Sequence, residues 1–174
     1  MTNLLRAAAR EWAVAWLTAL GFKNVQIEPF TIPGFMRGAE SAWLTGPYPH
    51  NLHITALGNS VPTPKGGLTA ELVYFASLAA LKAAPEGSLT GKIAFIDNQM
   101  LPNQDGSGYG AYGNARRQGP AVAASKGAVG VVIRSAGTDH NRDPHTGGTN
   151  FPAGSRAIPA GAVSALDEIG RAHV

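Results

Sequence analysis

The sequence predicts a mixed α/β fold, built mainly from short strands joined by long ordered loops. Residues 91–135 carry the clearest pattern: a strand, a glycine-rich loop, a helix closed by glycine, and a second apolar strand. Glycine and proline contribute 22 and 12 of the 174 residues, while charged residues make up only 14%. This composition favours short strands and turns over a helical bundle.

Composition also narrows the classes of function. The chain has the length of one domain, or of one domain with an appendage. It lacks cysteine, which excludes disulfides, thiolate nucleophiles and cysteine-based zinc sites. The net charge of +3 is scattered, with Arg116 and Arg117 as its one adjacent pair, so no nucleic-acid partner is predicted. No apolar run reaches the roughly 18 residues of a membrane span.

The first element is predicted to be an amphipathic helix over residues 3–20. Its apolar stripe includes Trp12 and Trp16, which favours packing of this face against a core. Thr2 or Asn3 can cap the start of the helix, and Gly21 can close it in a left-handed conformation.

Strands alternate with turns through the rest of the chain. The apolar patterns predict strands over residues 24–30, 42–44, 51–58, 71–75, 92–96, 129–134 and 158–163. The composition of residues 76–84, which follow the fourth of these strands, favours a short helix. A second helix is predicted over residues 115–126, with Asn114 as its N-cap and Gly127 after its end. Ser164 and Asp167 have the spacing of a capping box that opens a last helix.

The segment Gly108–Gly113 matches G-x-G-x-x-G ahead of the second helix. A dinucleotide site needs this turn directly after a strand, whereas roughly ten loop residues intervene here. The following strand ends in Arg134 and Ser135, without an acidic residue to hold a ribose. A glycine-rich loop is therefore predicted rather than a nucleotide site.

No catalytic residue is predicted in the chain. The motifs of serine hydrolases and zinc peptidases (G-x-S-x-G, H-E-x-x-H and H-x-D) do not occur. Three further carboxylates are interpreted as isolated groups without a partner for acid–base work, namely Glu40, Glu71 and Asp97. Both His50 and His53 are predicted to lie on the surface.

Three motifs, in this order, resemble the protease-associated (PA) domain. They are the strand GKIAFID (residues 91–97), the helix-to-strand joint AASKGAVGVVIR (123–134) and the strand IPA (158–160). Other segments resemble the PA domain of bacterial exported two-zinc aminopeptidases, from the peptidase family that includes glutamate carboxypeptidase and transferrin receptor relatives. These segments are residues 36–40, 54–58, 104–110 and 144–147.

The resemblance implies a PA-type, β-rich sandwich or open barrel with flanking short helices, preceded by an N-terminal helix and strand. Residues 1–45 would correspond to the opening of the peptidase domain, and residues 46–174 to a PA domain without its last strand. The resembled family is exported. The N-terminal segment is not expected to be a signal peptide, because Arg6 and Arg10 interrupt its apolar residues.

The implied function is that of a non-catalytic PA domain in a zinc aminopeptidase-like protein, shaping substrate access or mediating protein or peptide contacts. Zinc would bind in a peptidase domain outside this chain, so no cofactor is predicted within it. Loops 101–113 and 137–156 would face the peptidase cleft or a peptide. The residues predicted to make these contacts are Tyr109, Tyr112, Arg134, His140 and His145.

Two alternatives remain open from the sequence. Carboxylates and imidazoles crowd into one loop, and they could hold a single zinc ion in a small free-standing hydrolase. The residues of this alternative site are Asp139, His140, Asp143 and His145. The chain could instead be a scaffold that self-associates through the exposed apolar face of Trp12 and Trp16.

Overall fold

The computed structural model describes residues 3–46, 49–139 and 141–167. The chain divides into two compact units, and the boundary between them falls after Gly34 in the sequence. Within the described ranges, no helical segment combines the length and hydropathy that crossing a bilayer requires.

Helix α1 (Asn3–Ala19) is the main element of the first unit, as the sequence predicts. It ends at Gly21, whose φ of 90° lies in the left-handed region. The amide of Gly21 donates to the Thr18 carbonyl (3.0 Å), and that of Phe22 to the Leu17 carbonyl (3.2 Å). This is the glycine-closed Schellman pattern, which satisfies carbonyls at the end of the helix.

The apolar face of α1 carries two stacked indoles. The rings of Trp12 and Trp16 are 6.0 Å apart between centroids and nearly parallel. They remain 64% and 55% exposed, so the burial predicted for this face is not observed.

The strand predicted at residues 24–30 does not form. The segment has no regular secondary structure, and none of the described strands pairs with it. Asn24 has a left-handed φ of 56°, and both Ile27 and Phe30 are exposed. Alternation of apolar residues was the basis of the prediction, yet a strand also requires a hydrogen-bonding neighbour.

Within the residues that the structure describes, the second unit contains seven short strands and two α-helices. In chain order they are β1 (Ala42–Leu44), β2 (His50–Leu52), β3 (Ile54–Ala56), β4 (Leu72–Phe75), α2 (Leu78–Ala83), β5 (Ile93–Ile96), α3 (Tyr109–Ser125), β6 (Gly130–Arg134) and β7 (Ala160–Val163). A 3₁₀ turn follows at Ala165–Asp167.

A five-stranded mixed sheet, in the order β3-β7-β6-β5-β4, is the centre of this unit. Strands β4, β5, β6 and β7 run parallel, and β3 joins the edge antiparallel to β7. Strands β1 and β2 form a separate antiparallel pair. The architecture confirms the predicted mixed α/β class.

Alternation along the strands separates two apolar layers. In β5, Ala94 and Ile96 join the core shared with α2 and α3, whereas Phe95 joins a cluster with Leu52 and Val163. Successive side chains of a strand point to opposite faces, so the helices and the β1–β2 pair cover opposite sides of the sheet.

The strand predicted over residues 51–58 is two strands in different sheets. Leu52, at the end of β2, packs in the cluster around Phe95, while β3 pairs with β7. Between them, the amide of His53 donates to the carboxylate of Asp167 at 2.7 Å. This side-chain acceptor replaces a ladder bond and allows the chain to change sheets.

Helix α2 confirms the helical chemistry predicted after residue 75. Ser77 is its N-cap, with an extended backbone and a hydroxyl that accepts from the amide of Ala80 at 3.2 Å. Leu78 and Leu81 are buried against the sheet.

We expect Ser77→Ala to lower the free energy of unfolding by about 1 kcal/mol, because an amide in the first turn loses its acceptor. Urea unfolding followed by circular dichroism measures the change. Ser41→Ala is the matched control, since Ser41 is exposed and lies outside every helix. Equal effects of the two substitutions would contradict the capping role.

Helix α3 begins at Tyr109, not at residue 115, so Asn114 lies inside the helix instead of capping it. The predicted glycine loop is therefore largely helical. Contacts compensate for its poor helix propensity: Arg117 Nη2 donates to the carbonyl of Gly110 at 2.8 Å and to Asn114 Oδ1 at 2.9 Å. The predicted end is confirmed, with Gly127 at a φ of 95°.

The predicted capping contact after β7 is present. The amide of Asp167 donates to the Ser164 hydroxyl at 3.2 Å, at the end of a single 3₁₀ turn. The rest of the helix predicted there lies outside the described residues.

Candidate functional site

The carboxyl ends of the parallel strands β4, β5, β6 and β7 meet at one edge of the sheet. Long segments leave this edge after β5 and β6, spanning residues 97–108 and 135–159. Ligands of open α/β sheets commonly bind outside the carboxyl ends of the strands. We therefore take this edge as the candidate site.

A cavity of about 260 Å³ opens at this edge. Its walls come from the segments that follow β5 and β6 and from the 3₁₀ turn. They are formed by Gln99, Met100, Leu101, Pro102, Arg134, Gly137, Thr138, Asp139, Ala165 and Leu166. The lining mixes apolar and polar side chains, and Arg134 and Asp139 are its charged members.

Arg134, a predicted contact residue, is held at the end of β6 by an ion pair. Its Nη1 lies 3.1 Å from Asp97 Oδ1, and both side chains are largely buried. Asp97 Oδ2 also accepts from the Tyr74 hydroxyl at 3.0 Å. The prediction that Asp97 is isolated is therefore wrong, because strands distant in sequence bring these groups together.

The structure brings together two other predicted residues. The Tyr109 hydroxyl lies 2.6 Å from His145 Nε2, with the rings edge-to-face at 5.5 Å between centroids. Arg116 Nη1 donates to the same hydroxyl at 3.2 Å and to the Thr146 carbonyl at 3.1 Å. The start of α3 is thereby fastened to loop 137–156.

A second guanidinium reaches the same threonine. Arg37 Nη2 donates to Thr146 Oγ1 at 3.2 Å, and its Nε donates to the Ala56 carbonyl at 2.9 Å. Glu40 lies 3.8 Å from Arg37 at the nearest atoms. We call Arg37, Arg116 and His145 the basic cluster.

The remaining predicted contact residues are not part of this cluster. The Tyr112 ring lies against Gly108, and its carbonyl accepts from Asn98 Nδ2 at 3.2 Å. His140 lies outside the described residues.

Three of the four residues of the alternative zinc site lie in the described part of the chain. Within the described ranges, no three histidine or acidic side chains converge as metal ligands. His145 Nε2 is engaged with Tyr109, and Asp139 Oδ1 accepts from the amide of Asn141 at 3.4 Å. The described geometry therefore gives the zinc hydrolase no supporting observation.

Asp167 lies in the 3₁₀ turn that follows β7, and it links this turn to the segment between β2 and β3. Its side chain is 3% exposed and accepts from the amide of His53 (2.7 Å), while His53 Nδ1 lies 2.8 Å from the same oxygen. Arg142 pairs with its other oxygen. The His53 side chain is thus half-exposed and is also held by a defined partner, Asp167.

The pKa of Asp167 reflects opposing influences. Burial is the largest of them and acts to raise the pKa of the carboxyl group. Hydrogen bonds from the backbone and ring of His53 and from Ser164, together with the charge of Arg142, lower it. Their sum outweighs burial, so the pKa of Asp167 lies below its ordinary value.

Five residues of the basic cluster and of the Asp167 cluster were not predicted as site residues: Arg37, Arg116, His53, Arg142 and Asp167. The adjacent arginines at 116 and 117 were visible in the sequence as its one pair of neighbouring basic residues. The others contact partners at long sequence separation, which local pattern does not reveal.

Comparisons with known proteins agree with this fold. The model of the PA domain family matches residues 68–168. Carboxypeptidase Q of Mus musculus is 35% identical over 147 residues, and that of Homo sapiens is 33% identical over the same length. Each alignment covers 84% of this chain and 30% of the relative. The chain therefore spans about a third or less of the curated relatives that it matches.

Solved structures extend the likeness to three dimensions. A peptidase M28 precursor from Shewanella amazonensis is 47% identical with a TM-score of 0.85, covering 92% of this chain and 36% of that protein. The zinc aminopeptidase BSAP of Bacillus subtilis is 21% identical with a TM-score of 0.54, over 91% and 33% of the two chains. This second likeness concerns the fold alone. From the family match and the first likeness, the chain belongs to the PA domain family, and its PA domain is of the kind carried by M28 peptidases.

Proposed function

We propose that this chain is the non-catalytic PA part of an M28-type zinc peptidase and shapes the access of peptides to the peptidase site. The observation that carries the proposal is the 2.6 Å contact between Tyr109 and His145, which joins the start of α3 to loop 137–156. A surface joined in this way can present side chains to a peptide or to a peptidase domain with little ordering cost.

Further bonds hold loop 137–156 in place. The amide of His145 donates to Ser135 Oγ at 2.8 Å, next to the end of β6. Gly58, just beyond β3, donates to the Gly147 carbonyl at 2.9 Å and accepts from the amide of Thr149 at 2.8 Å. A loop attached at these points fits a contact surface better than a mobile linker.

Zinc, in this proposal, binds to a peptidase domain and not to the PA fold. Its chemistry would activate water for peptide hydrolysis. The residues of this chain would supply shape and peptide contacts.

The proposal can be tested by grafting the second unit into the Shewanella amazonensis peptidase, in place of the matching segment. We expect the chimera to hydrolyse amino-acyl and dipeptide substrates with altered kcat/KM preferences. Tyr109→Phe in the chimera should raise KM about two- to tenfold with little change in kcat, because one contact that positions the loop is lost.

The ungrafted chain supplies the opposing arm of this test. With zinc added, it should show no aminopeptidase turnover on chromogenic amino-acyl substrates. Turnover that requires zinc and is lost in His145→Ala would overturn the proposal and favour the free-standing hydrolase.

A further inference from the structure

We propose that the basic cluster binds a carboxylate presented by a peptide. This inference rests on the proposed function and adds a ligand chemistry to it. The cluster lies where helix α3, loop 137–156 and the segment before β1 meet, around Thr146.

The charge of Arg116 is uncompensated among the described residues. None of the ion pairs found there includes it, although Arg37, Arg134 and Arg142 each pair with an acid. Its Nη1 makes both hydrogen bonds, to Tyr109 and Thr146. Its Nε is buried without a partner, whereas Nη2 makes no hydrogen bond within the described structure and is not buried. An arginine in this state retains a donor and a full positive charge for an anion.

Gly147 fixes the orientation of that guanidinium. A Cβ at this position would lie 2.7 Å from Arg116 Cζ and 2.9 Å from its Nε. The backbone of loop 137–156 therefore lies directly against the guanidinium group. Little freedom remains to be lost when a ligand binds to Nη2.

Arg37 adds a second positive charge on the other side of Thr146. The nearest carboxylate, Glu40, is 3.8 Å away, and its Oε1 also accepts from the amide of Ala56 at 2.9 Å. Glu40 is thus paired with Arg37 alone and is partly engaged by a backbone amide, while Arg116 has no carboxylate partner among the described residues. The two guanidinium groups therefore make the local field positive.

His145 supplies a further donor. The Tyr109 oxygen accepts from Arg116 Nη1, so the phenolic proton is free to point at His145 Nε2. In the tautomer that accepts at Nε2, the ring proton lies on Nδ1, for which no hydrogen bond is found among the described residues. Both Nδ1–H and Arg116 Nη2–H are suited to the oxygens of an anion.

A peptide offers such an anion in two forms: its C-terminal carboxylate and the side chains of Asp and Glu. Both present two acceptor oxygens in one plane, which arginine recognises well. The distinction between the two sources is left to the experiment.

The test is an NMR titration of the ¹⁵N-labelled chain with three probes. They are N-acetyl-triglycine, its C-terminal amide, and N-acetyl-glutamyl-glycine amide. We expect the amides of His145, Thr146 and Gly147 to shift with the first or third probe, and the neutral amide to bind at least about tenfold more weakly. The acid that binds more tightly identifies the source of the carboxylate.

Variants test the named groups. Arg116→Gln should weaken binding of the acidic probe about tenfold, and so should Arg37→Gln at the more exposed of the two arginines. Lys65→Gln removes an equal charge at an exposed position elsewhere and should leave binding unchanged. Circular dichroism confirms the fold, and Arg37→Gln keeps the test valid if Arg116→Gln unfolds.

The outcomes separate the two proposals. Equal binding of acid and amide would overturn the carboxylate site while leaving a peptide surface in place. If Lys65→Gln weakened binding of the acidic probe as much as the arginine variants do, net charge alone would explain the binding. That result would also overturn the carboxylate site. Absence of binding by every probe would contradict the carboxylate site, whereas a chimera without altered preferences would contradict the proposed function.

Discussion

Asp167→Ala is expected to lower the free energy of unfolding by about 3 kcal/mol, because it removes a charged acceptor with three partners. The carboxylate accepts hydrogen bonds from the amide and the ring of His53, and it forms an ion pair with the guanidinium of Arg142. Its loss leaves the His53 amide without an acceptor where the chain passes from β2 to β3. The half-exposed ring and guanidinium can be rehydrated, which keeps the cost well below the sum of three bonds.

The same group gives stability a defined dependence on pH. The pKa of Asp167 is lowered in the folded state, so its contribution is fully present above the unfolded pKa of about 3.9. It is lost as pH falls through the lower, folded pKa. Urea unfolding measured at several pH values from neutral down to about 3 should therefore show a decline that Asp167→Asn reduces.

Asp143→Asn is the matched control for this titration. Asp143 lies in loop 137–156 next to Arg142, is exposed, and its carboxylate has no hydrogen bond in the described structure. Its substitution should leave both stability and the acid decline within about 0.5 kcal/mol of the parent. A decline as steep in Asp167→Asn as in the parent would show that another group governs it.

Gly127→Ala is expected to cost about 3 kcal/mol, from two separate causes. The φ of 95° is unfavourable for any residue with a Cβ. That Cβ would also lie 2.8 Å from Thr90 Oγ1 and 3.1 Å from the Thr90 backbone nitrogen, where the chain enters β5. The backbone cannot rotate away as a side chain could, so crowding adds to the conformational cost.

Gly66→Ala separates the two causes. Gly66 has nearly the same φ, 97°, but its Cβ would meet nothing within 4 Å. We expect it to cost about 1 kcal/mol, the conformational part alone. Thermal and urea unfolding of both variants measure the difference, and equal losses would show that contact with Thr90 contributes nothing.

Much of the architecture follows from local pattern. The apolar runs that became β5 and β6 are unbroken and bounded by glycine, so their burial on both faces could be predicted. The start of α3 could not, because the contact between Tyr109 and His145 and the bonds of Arg117 stabilise glycine-rich turns that have low propensity. The N-terminal strand failed for the opposite reason, since alternation was present but a pairing partner was not.

The candidate site was predictable in part. Aromatic and imidazole groups in glycine-rich loops pointed to Tyr109 and His145, which the structure places in contact. Arg37 reaches Thr146 across 109 positions, and His53 reaches Asp167 across 114. Such pairs depend on which strands become neighbours, and a single sequence carries no local signal for that choice.

The pairing of β3 with β7 has a consequence for biosynthesis. Ile54 lies opposite Val163, so the sheet edge cannot close until the last strand has left the ribosome. Until then, β3 offers unpaired backbone groups to any passing chain. A nascent polypeptide of this design exposes the unpaired edge of β3 throughout the synthesis of the residues between Ile54 and Val163.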